Sequence, residues 1–233
     1  MSQDSTRQAA ERIAPAVDRF RNRSLDSRRS FLRKSAAAGA GALTLSMATA
    51  NTALAQEAAD DEVSDVDVLN FALTLEHLEN AFYRLGRNEF DRGDYMSADT
   101  LRGFGARVRK AVPGNLADIG AHEATHVETL SAVIEDISGD PVEEAQYAFG
   151  VDDVDDFIAV AGVLENTGVS AYDGAISLVE NRDLLTAGAT IATVEARHAS
   201  YLNLLNGDDP FPAAFDEPKS MDEVLDAAGG FFA

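Results

Sequence analysis

The sequence predicts an all-α protein, a bundle of four long helices with a short insert helix between the first and second and a long crossover between the second and third. Three observations carry that prediction. Apolar residues recur at helical spacing through four stretches of roughly twenty residues or more. Alternation of apolar and polar residues, the mark of a half-buried strand, is nowhere convincing. The two halves of the chain also repeat one pattern: a lone Glu, a Tyr seven residues later, and a Glu-x-x-His pair on the following helix.

Taken in order, the first helix spans residues 65–89, with Leu69, Ala72, Leu73, Glu76, Asn80 and Tyr83 on one side. Residues 91–97 read as a loop, and 98–111 as the insert helix, stopped by Pro113-Gly114. The second long helix covers 115–137 and closes at Ser138-Gly139. Residues 140–153 form the crossover; about fifteen extended residues reach roughly 50 Å, enough to run the length of a twenty-residue helix of about 30 Å. The third helix runs over 154–180 and the fourth over 183–206, with Gly207 as terminator. A Phe211-Pro212 loop and a short helix over 221–228 complete the chain.

Ahead of the bundle, residues 1–55 read as an export signal. A polar, Arg-rich start ends in Arg28-Arg29-Ser30-Phe31-Leu32-Arg33, followed by a weakly apolar run to Ala50. The paired arginines fit the twin-arginine (Tat) type, which makes the Tat translocase a partner during export. Ala53-Leu54-Ala55 offers a small-x-small cleavage site before Gln56. Residues 56–64 are then an acidic leader and 65–233 the bundle domain, outside the cell or at its surface. No later apolar run has the length of a membrane span.

Charge and cysteine content narrow the function. The first 55 residues hold nine of the 19 basic and four of the 40 acidic residues, which leaves 10 basic against 36 acidic, a net charge of −26. Such a surface repels nucleic acid and anionic lipid. Acids dispersed among periodic apolar residues look like adaptation to high salt, where screening removes the self-repulsion. There is no cysteine. Disulfides, Cys-zinc sites and Cys-ligated clusters are therefore excluded, and any metal must be held by Asp, Glu and His.

The helical faces show where those ligands stand. At about 100° per residue, Leu116, Ile119, Val127, Leu130 and Ile134 fall within about 40° of Glu123, with His126 about 60° away. Glu195 and His198 repeat the arrangement among Leu184, Ile191, Ala199 and Leu202. Glu165 lies among Ile158, Ala161, Val169 and Tyr172, and Glu76 among Leu69, Ala72 and Tyr83. Four carboxylates on core-facing stripes would be ruinous as bare charges, and two divalent cations would neutralise them. Glu79, about 60° from Glu76, is a substitute ligand or, more in keeping with its place, a surface residue. His77 points away from the stripe towards solvent.

One Glu from each of two helices, plus Glu-x-x-His from each of the other two, resembles the dinuclear carboxylate pattern of the ferritin-like superfamily. Residues 65–232 are similar to its branch of exported ferritin-like domain proteins related to desiccation-associated proteins. The likeness to that branch rests on Asp67-Val68-Leu69-Asn70-Phe71-Ala72-Leu73, Leu75-Glu76, Phe82-Tyr83 and Pro210-Phe211-Pro212-Ala213-Ala214-Phe215. The resemblance implies Glu76 and Glu165 as single-Glu ligands, Glu123 and Glu195 as bridges, and His126 and His198 as one imidazole per metal. It places Tyr83 and Tyr172 beside the metals. Two iron ions, or two manganese ions, would react with dioxygen or peroxide, in Fe(II) oxidation or protection against oxidative damage. The first half spaces its lone Glu from the Glu-x-x-His by 47 residues and the second by 30. The longer first half departs from bacterioferritin spacing, against a storage cage.

Two other readings stand beside the redox one. The bundle can be a metal-binding or stress-protective protein without turnover. Alternatively, His122-Glu123-Ala124-Thr125-His126 is a literal H-E-x-x-H, the zinc-hydrolase pattern. The projection disfavours that zinc site, because His122 lies about 80° from the centre of the apolar stripe while Glu123, which should stay unligated, is at the centre.

Overall fold

A computed structural model of the chain describes residues 63–233. The expected signal with Arg28 and Arg29, its cleavage site and nearly all of the acidic leader lie outside these residues. Ser64–Lys219 with Glu223–Ala233 form one compact unit; Val63 and Ser220–Asp222 belong to a second. The described chain is helical, in the order α1 (Asp65–Glu89), α2 (Arg92–Ser97), α3 (Ala106–Asp136), α4 (Val154–Ala175), α5 (Arg182–Asn206) and α6 (Met221–Ala228). Short 3-10 turns, Ile176–Leu178 and Gly229–Phe231, follow α4 and α6. α1 packs along α3 and α4 along α5, and α1 against α4 joins the two pairs. None of these helices is long and apolar enough to cross a membrane.

Three of the four long helices start where the sequence supplies a side-chain cap; α3 begins after Gly105 without one. Ser64 Oγ accepts from Asp67 N at 3.2 Å while Asp67 Oδ2 accepts from Ser64 N at 2.9 Å, a reciprocal box that satisfies two otherwise orphaned N–H groups. Asp153 caps α4 through Asp156 N, and Asn181 caps α5 through Asp183 N, each at 2.9 Å. At the far end of α5, Gly207 takes the left-handed conformation (φ 82°) that glycine adopts at little cost.

The insert differs from its expected form. The short helix lies at Arg92–Ser97, a stretch predicted as loop, and residues 98–105 form turns instead of a helix. Asp91 and Asp94 make a second capping box, with Asp91 Oδ1 accepting from Gly93 N and Asp94 N and Asp94 Oδ2 accepting from Asp91 N. Asp155 of α4 then takes the N–H groups of Asp99 and Thr100, at 3.0 and 2.8 Å, and holds them in the turn. Nor does Pro113-Gly114 stop a helix: α3 runs through both. Proline removes one helical hydrogen bond and crowds the preceding turn. Val112, Leu116 and Ile119, all buried, span the proline and offset that cost by packing. α4 stops at Ala175, five residues short of the predicted end, and tightens into the 3-10 turn.

The crossover lies along α1. Asn70 clamps its start, donating to Asp140 O and accepting from Val142 N. Farther along, Arg84 grips Glu144 through two hydrogen bonds of 3.0 and 2.6 Å. Between them His77, expected in solvent, is buried, with Nε2 donating to Val142 O at 3.1 Å. The expectation fails because the helix projection does not include the crossover that covers that face.

Two apolar layers bracket the middle of the bundle. Leu69, Ala72, Leu73, Leu130, Ile134 and Ile191 form an aliphatic layer that Tyr172 joins. Further along α1, Phe82 stacks on Phe157 with ring centroids 4.7 Å apart, and Tyr83 meets both edge-on. Glu76 falls between Leu73 and Phe82, so the carboxylate level of the bundle is closed by apolar side chains at both ends.

Candidate metal centre

Four helices deliver six polar side chains to that level. Glu76 comes from α1, Glu123 and His126 from α3, Glu165 from α4, and Glu195 and His198 from α5. Residues three apart on a helix share a face, so each Glu-x-x-His presents both groups inward together. All four carboxylates have no exposed surface, and the two histidines are 8% and 4% exposed. Ligand atoms of Glu76, Glu123, His126 and Glu195 lie within 4.8 Å of one another, as do those of Glu123, Glu165, Glu195 and His198. The two groups share Glu123 and Glu195. All six residues singled out in the sequence thus surround one region, as two clusters with a common wall.

The contacts repeat with pseudo-twofold symmetry. His126 Nδ1 lies 3.1 Å from Glu76 Oε2 and 3.2 Å from both Glu123 Oε2 and Glu195 Oε1. His198 Nδ1 lies 3.1 Å from both Glu165 Oε2 and Glu123 Oε1, and 4.0 Å from Glu195 Oε2. The two tyrosines cross over. Tyr83 of α1 donates to Glu165 Oε1 of α4 at 2.6 Å, and Tyr172 of α4 donates to Glu76 Oε1 of α1 at 2.5 Å. Each outer carboxylate is therefore held by a phenol from the opposite half.

Electrostatics show what this arrangement lacks. Burial raises the carboxyl of Glu76, with the His126 hydrogen bond opposing and the charges of Glu195 and Glu123 adding to the rise. Burial likewise lifts Glu195, and the Glu165 charge lifts it further. Glu165 is raised by burial against the pull of His198. Glu123 goes the other way: burial would raise it, but the two imidazoles beside it bring it down to about 2. Burial disfavours the imidazolium of His126 and of His198, yet the surrounding carboxylates outweigh it and push the two rings up to about 12 and about 10. Burial and their glutamate partners keep Tyr83 and Tyr172 protonated and donating.

Even so, Glu123 Oε1 and both carboxylate oxygens of Glu195 are buried without a well-aligned hydrogen bond: the imidazole Nδ1 atoms 3.1 and 3.2 Å from Glu123 Oε1 and Glu195 Oε1 are each shared with other glutamates. A buried carboxylate that lacks its full set of hydrogen bonds costs several kcal/mol, and the shared carboxylates are the ones left short. Hard oxygen donors with one imidazole per cluster suit divalent iron or manganese, so the residues fit a pair of such ions.

Two further residues belong to the surroundings. His122 is exposed and lies in neither cluster; its Nδ1 is 3.0 Å from His198 Nε2, and the rings stack with centroids 5.2 Å apart. It thus serves the ring of His198 and does not join His126 around one point, as the H-E-x-x-H reading requires. Glu79, expected at the surface, is 3% exposed, and burial together with the Glu195 and Glu165 charges raises its carboxyl well above the ordinary range. Gly168 makes room for it: a Cβ there would stand 3.0 Å from Glu79 Oε1 and 3.4 Å from Glu195 Oε2. The signal for Glu79 was its position one turn after Glu76, but its burial depends on that gap in α4.

Because each tyrosine fixes an outer carboxylate, Tyr83→Phe and Tyr172→Phe should each weaken metal binding by about tenfold or more without unfolding the chain. Competition titration with a chelating dye, beside a thermal melt, measures both.

The family model described as ferritin-like domain matches residues 64–208, more than half of the chain. The chain belongs to the ferritin-like family. Among curated proteins no match was found.

Proposed function

We propose that the two clusters form a dinuclear centre of iron or manganese that carries out redox chemistry with dioxygen or peroxide, as in Fe(II) oxidation or protection against oxidative damage. The observation that supports it most is the sharing of Glu123 and Glu195 between two four-residue groups, with three of their oxygens lacking a well-aligned hydrogen bond. Glu76 and His126 would complete one side, Glu165 and His198 the other. When bound, such a pair supplies one-electron steps at each ion and a place for an oxygen species to bind.

The chain's own residues set the conditions. Tyr83 and Tyr172 orient the outer carboxylates, leaving Glu76 Oε2 and Glu165 Oε2 facing His126 and His198. His126 and His198 must give up a proton at Nδ1 before either can ligate there, and His122 meets the far nitrogen of His198. The aliphatic and aromatic layers keep bulk water from the carboxylates. Arg28-Arg29 and the small-x-small run before Gln56 support export by the twin-arginine route, and the Pro210 to Phe215 run supports the desiccation-related branch.

Protons test the reading without turnover. In the metal-free chain Glu76, Glu79 and Glu195 keep protons that the unfolded carboxyls release near 4.5. His126 and His198 keep protons that unfolded imidazoles release near 6.5. The folded state thus binds more protons, and its stability should fall as pH rises from about 5 to 9. Glu123 acts oppositely, but its contribution is lost only as pH drops from 4.5 towards 2. With Mn(II) present the trend should invert, because binding displaces those protons. Urea titrations in molar salt, which screens the surface acids, read both slopes. As the functional test, Fe(II) added anaerobically and then exposed to air should consume oxygen faster with the protein than without. Tight binding of metal with no oxygen or peroxide consumed would leave a binding protein and overturn the redox reading.

A further inference from the structure

The pseudo-twofold symmetry of the metal centre fails behind its histidines. His122 stands one residue before Glu123 on α3, and its Nδ1 lies 3.0 Å from Nε2 of His198 on α5. The two ring planes are 9° apart, which lets the N–H and the lone pair that accepts it lie close to one plane. His198 turns Nδ1 towards Glu165 and Glu123, 3.1 Å from each. With Nδ1 as the ligating atom, Nε2 carries the remaining proton and donates it to His122.

His126 lacks this support. Its hydrogen-bond partners among the described residues, Glu76 and Glu123, both face Nδ1. Its side chain is 11% exposed against 5% for His198. The residue in the matching place on α5, one before Glu195, is Val194, whose side chain has no acceptor to offer.

We propose that His122 makes the two metal positions unequal: the ion among Glu123, Glu165, Glu195 and His198 binds first and stays, while the ion among Glu76, Glu123, His126 and Glu195 binds second and exchanges with solution. A partner on the far nitrogen of a ligating imidazole fixes its tautomer and ring orientation and strengthens it as a donor, an effect of about ten- to a hundredfold on metal affinity. His122 is thus a positioning residue for one half of the centre. The inference rests on the dinuclear reading above and adds which ion is resident and where metal enters and leaves.

Two cations held by shared carboxylates repel each other and separate the two binding constants in any such centre. The test therefore turns on where the first ion sits and on its dependence on His122. Crystals of the protein with one equivalent of Mn(II) per chain should show a single anomalous peak, beside Glu165 and His198. In competition titration with a chelating dye, His122→Ala should weaken the first constant about tenfold or more. The metal-free thermal melt should not move, since His122 is exposed. His122→Phe keeps a ring without an acceptor and should match His122→Ala; His122→Asn, whose side-chain oxygen accepts, should behave as the unaltered protein. Val194→His, which supplies the missing acceptor, should tighten the second constant about tenfold. A first ion beside Glu76 and His126, or a first constant indifferent to His122→Ala or to His122→Phe, overturns the proposal and leaves the dinuclear centre standing. No bound Mn(II) in the unaltered protein overturns both.

Discussion

Glu123→Ala is expected to leave the chain with no tightly bound metal, whereas Glu76→Ala should leave one ion. The difference follows from sharing. Glu123 stands in both four-residue clusters and Glu76 in one. Removing a shared ligand takes a donor from each site together, and metal affinity should drop by more than about a hundredfold at both, since even groups behind the ligands contribute ten- to a hundredfold. Removing Glu76 should weaken the His126 side and leave Glu165 and His198 with both bridges. Equilibrium dialysis against Mn(II) followed by metal analysis gives the counts: two for the unaltered protein, one for Glu76→Ala, none for Glu123→Ala. Two ions retained by Glu123→Ala would mean that the carboxylate is not a ligand.

The second large effect is a reversal of sign. Glu195→Gln should stabilise the metal-free protein and destabilise the metal-loaded one. Glu195 has no exposed surface, no well-aligned hydrogen bond to either oxygen beyond the shared His126 Nδ1 at 3.2 Å, and a carboxyl raised by burial and by Glu165 against the pull of His126. Holding it protonated in the fold, or charged with too few partners, costs free energy that grows by about 1.4 kcal/mol per pH unit above the unfolded value. An isosteric neutral amide removes that cost, a gain of about 1 to 3 kcal/mol at pH 7. With Mn(II) at about a hundred times the dissociation constant, the unaltered protein gains about 2.7 kcal/mol from binding, which the variant forfeits. Urea denaturation with and without Mn(II) measures both. A variant less stable than the parent in the absence of metal would show that Glu195 is satisfied within the protein.

Much of this was legible in the sequence because the helices that carry the four glutamates and two histidines are long and strongly periodic. Glu123 at the centre of an apolar stripe already meant a buried carboxylate, and its repetition at Glu195, with Glu76 and Glu165 in matching places, meant four together. The same projection put His122 at the rim, where the structure has it stacked on His198. What could not be seen from one helix at a time depended on a second element. His77 faces outward on α1 but lies under the crossover. Glu79 needs Gly168 of the opposite helix to make room. The insert was misplaced because Pro113 outranked a weaker sign, the Asp91-x-x-Asp94 box, and because the turn that follows is pinned by Asp155 from a remote helix. The crossing of the tyrosines, each to the other half's glutamate, follows from how α1 meets α4 and from no spacing within either.

The central claim is that two metal ions share Glu123 and Glu195. Crystals grown with Mn(II) and measured for anomalous scattering test it most directly. Two anomalous peaks are predicted, one among Glu76, Glu123, His126 and Glu195 and the other among Glu123, Glu165, Glu195 and His198. A single peak between His122 and His126, or no peak among these residues with metal bound elsewhere on the acidic surface, would contradict it.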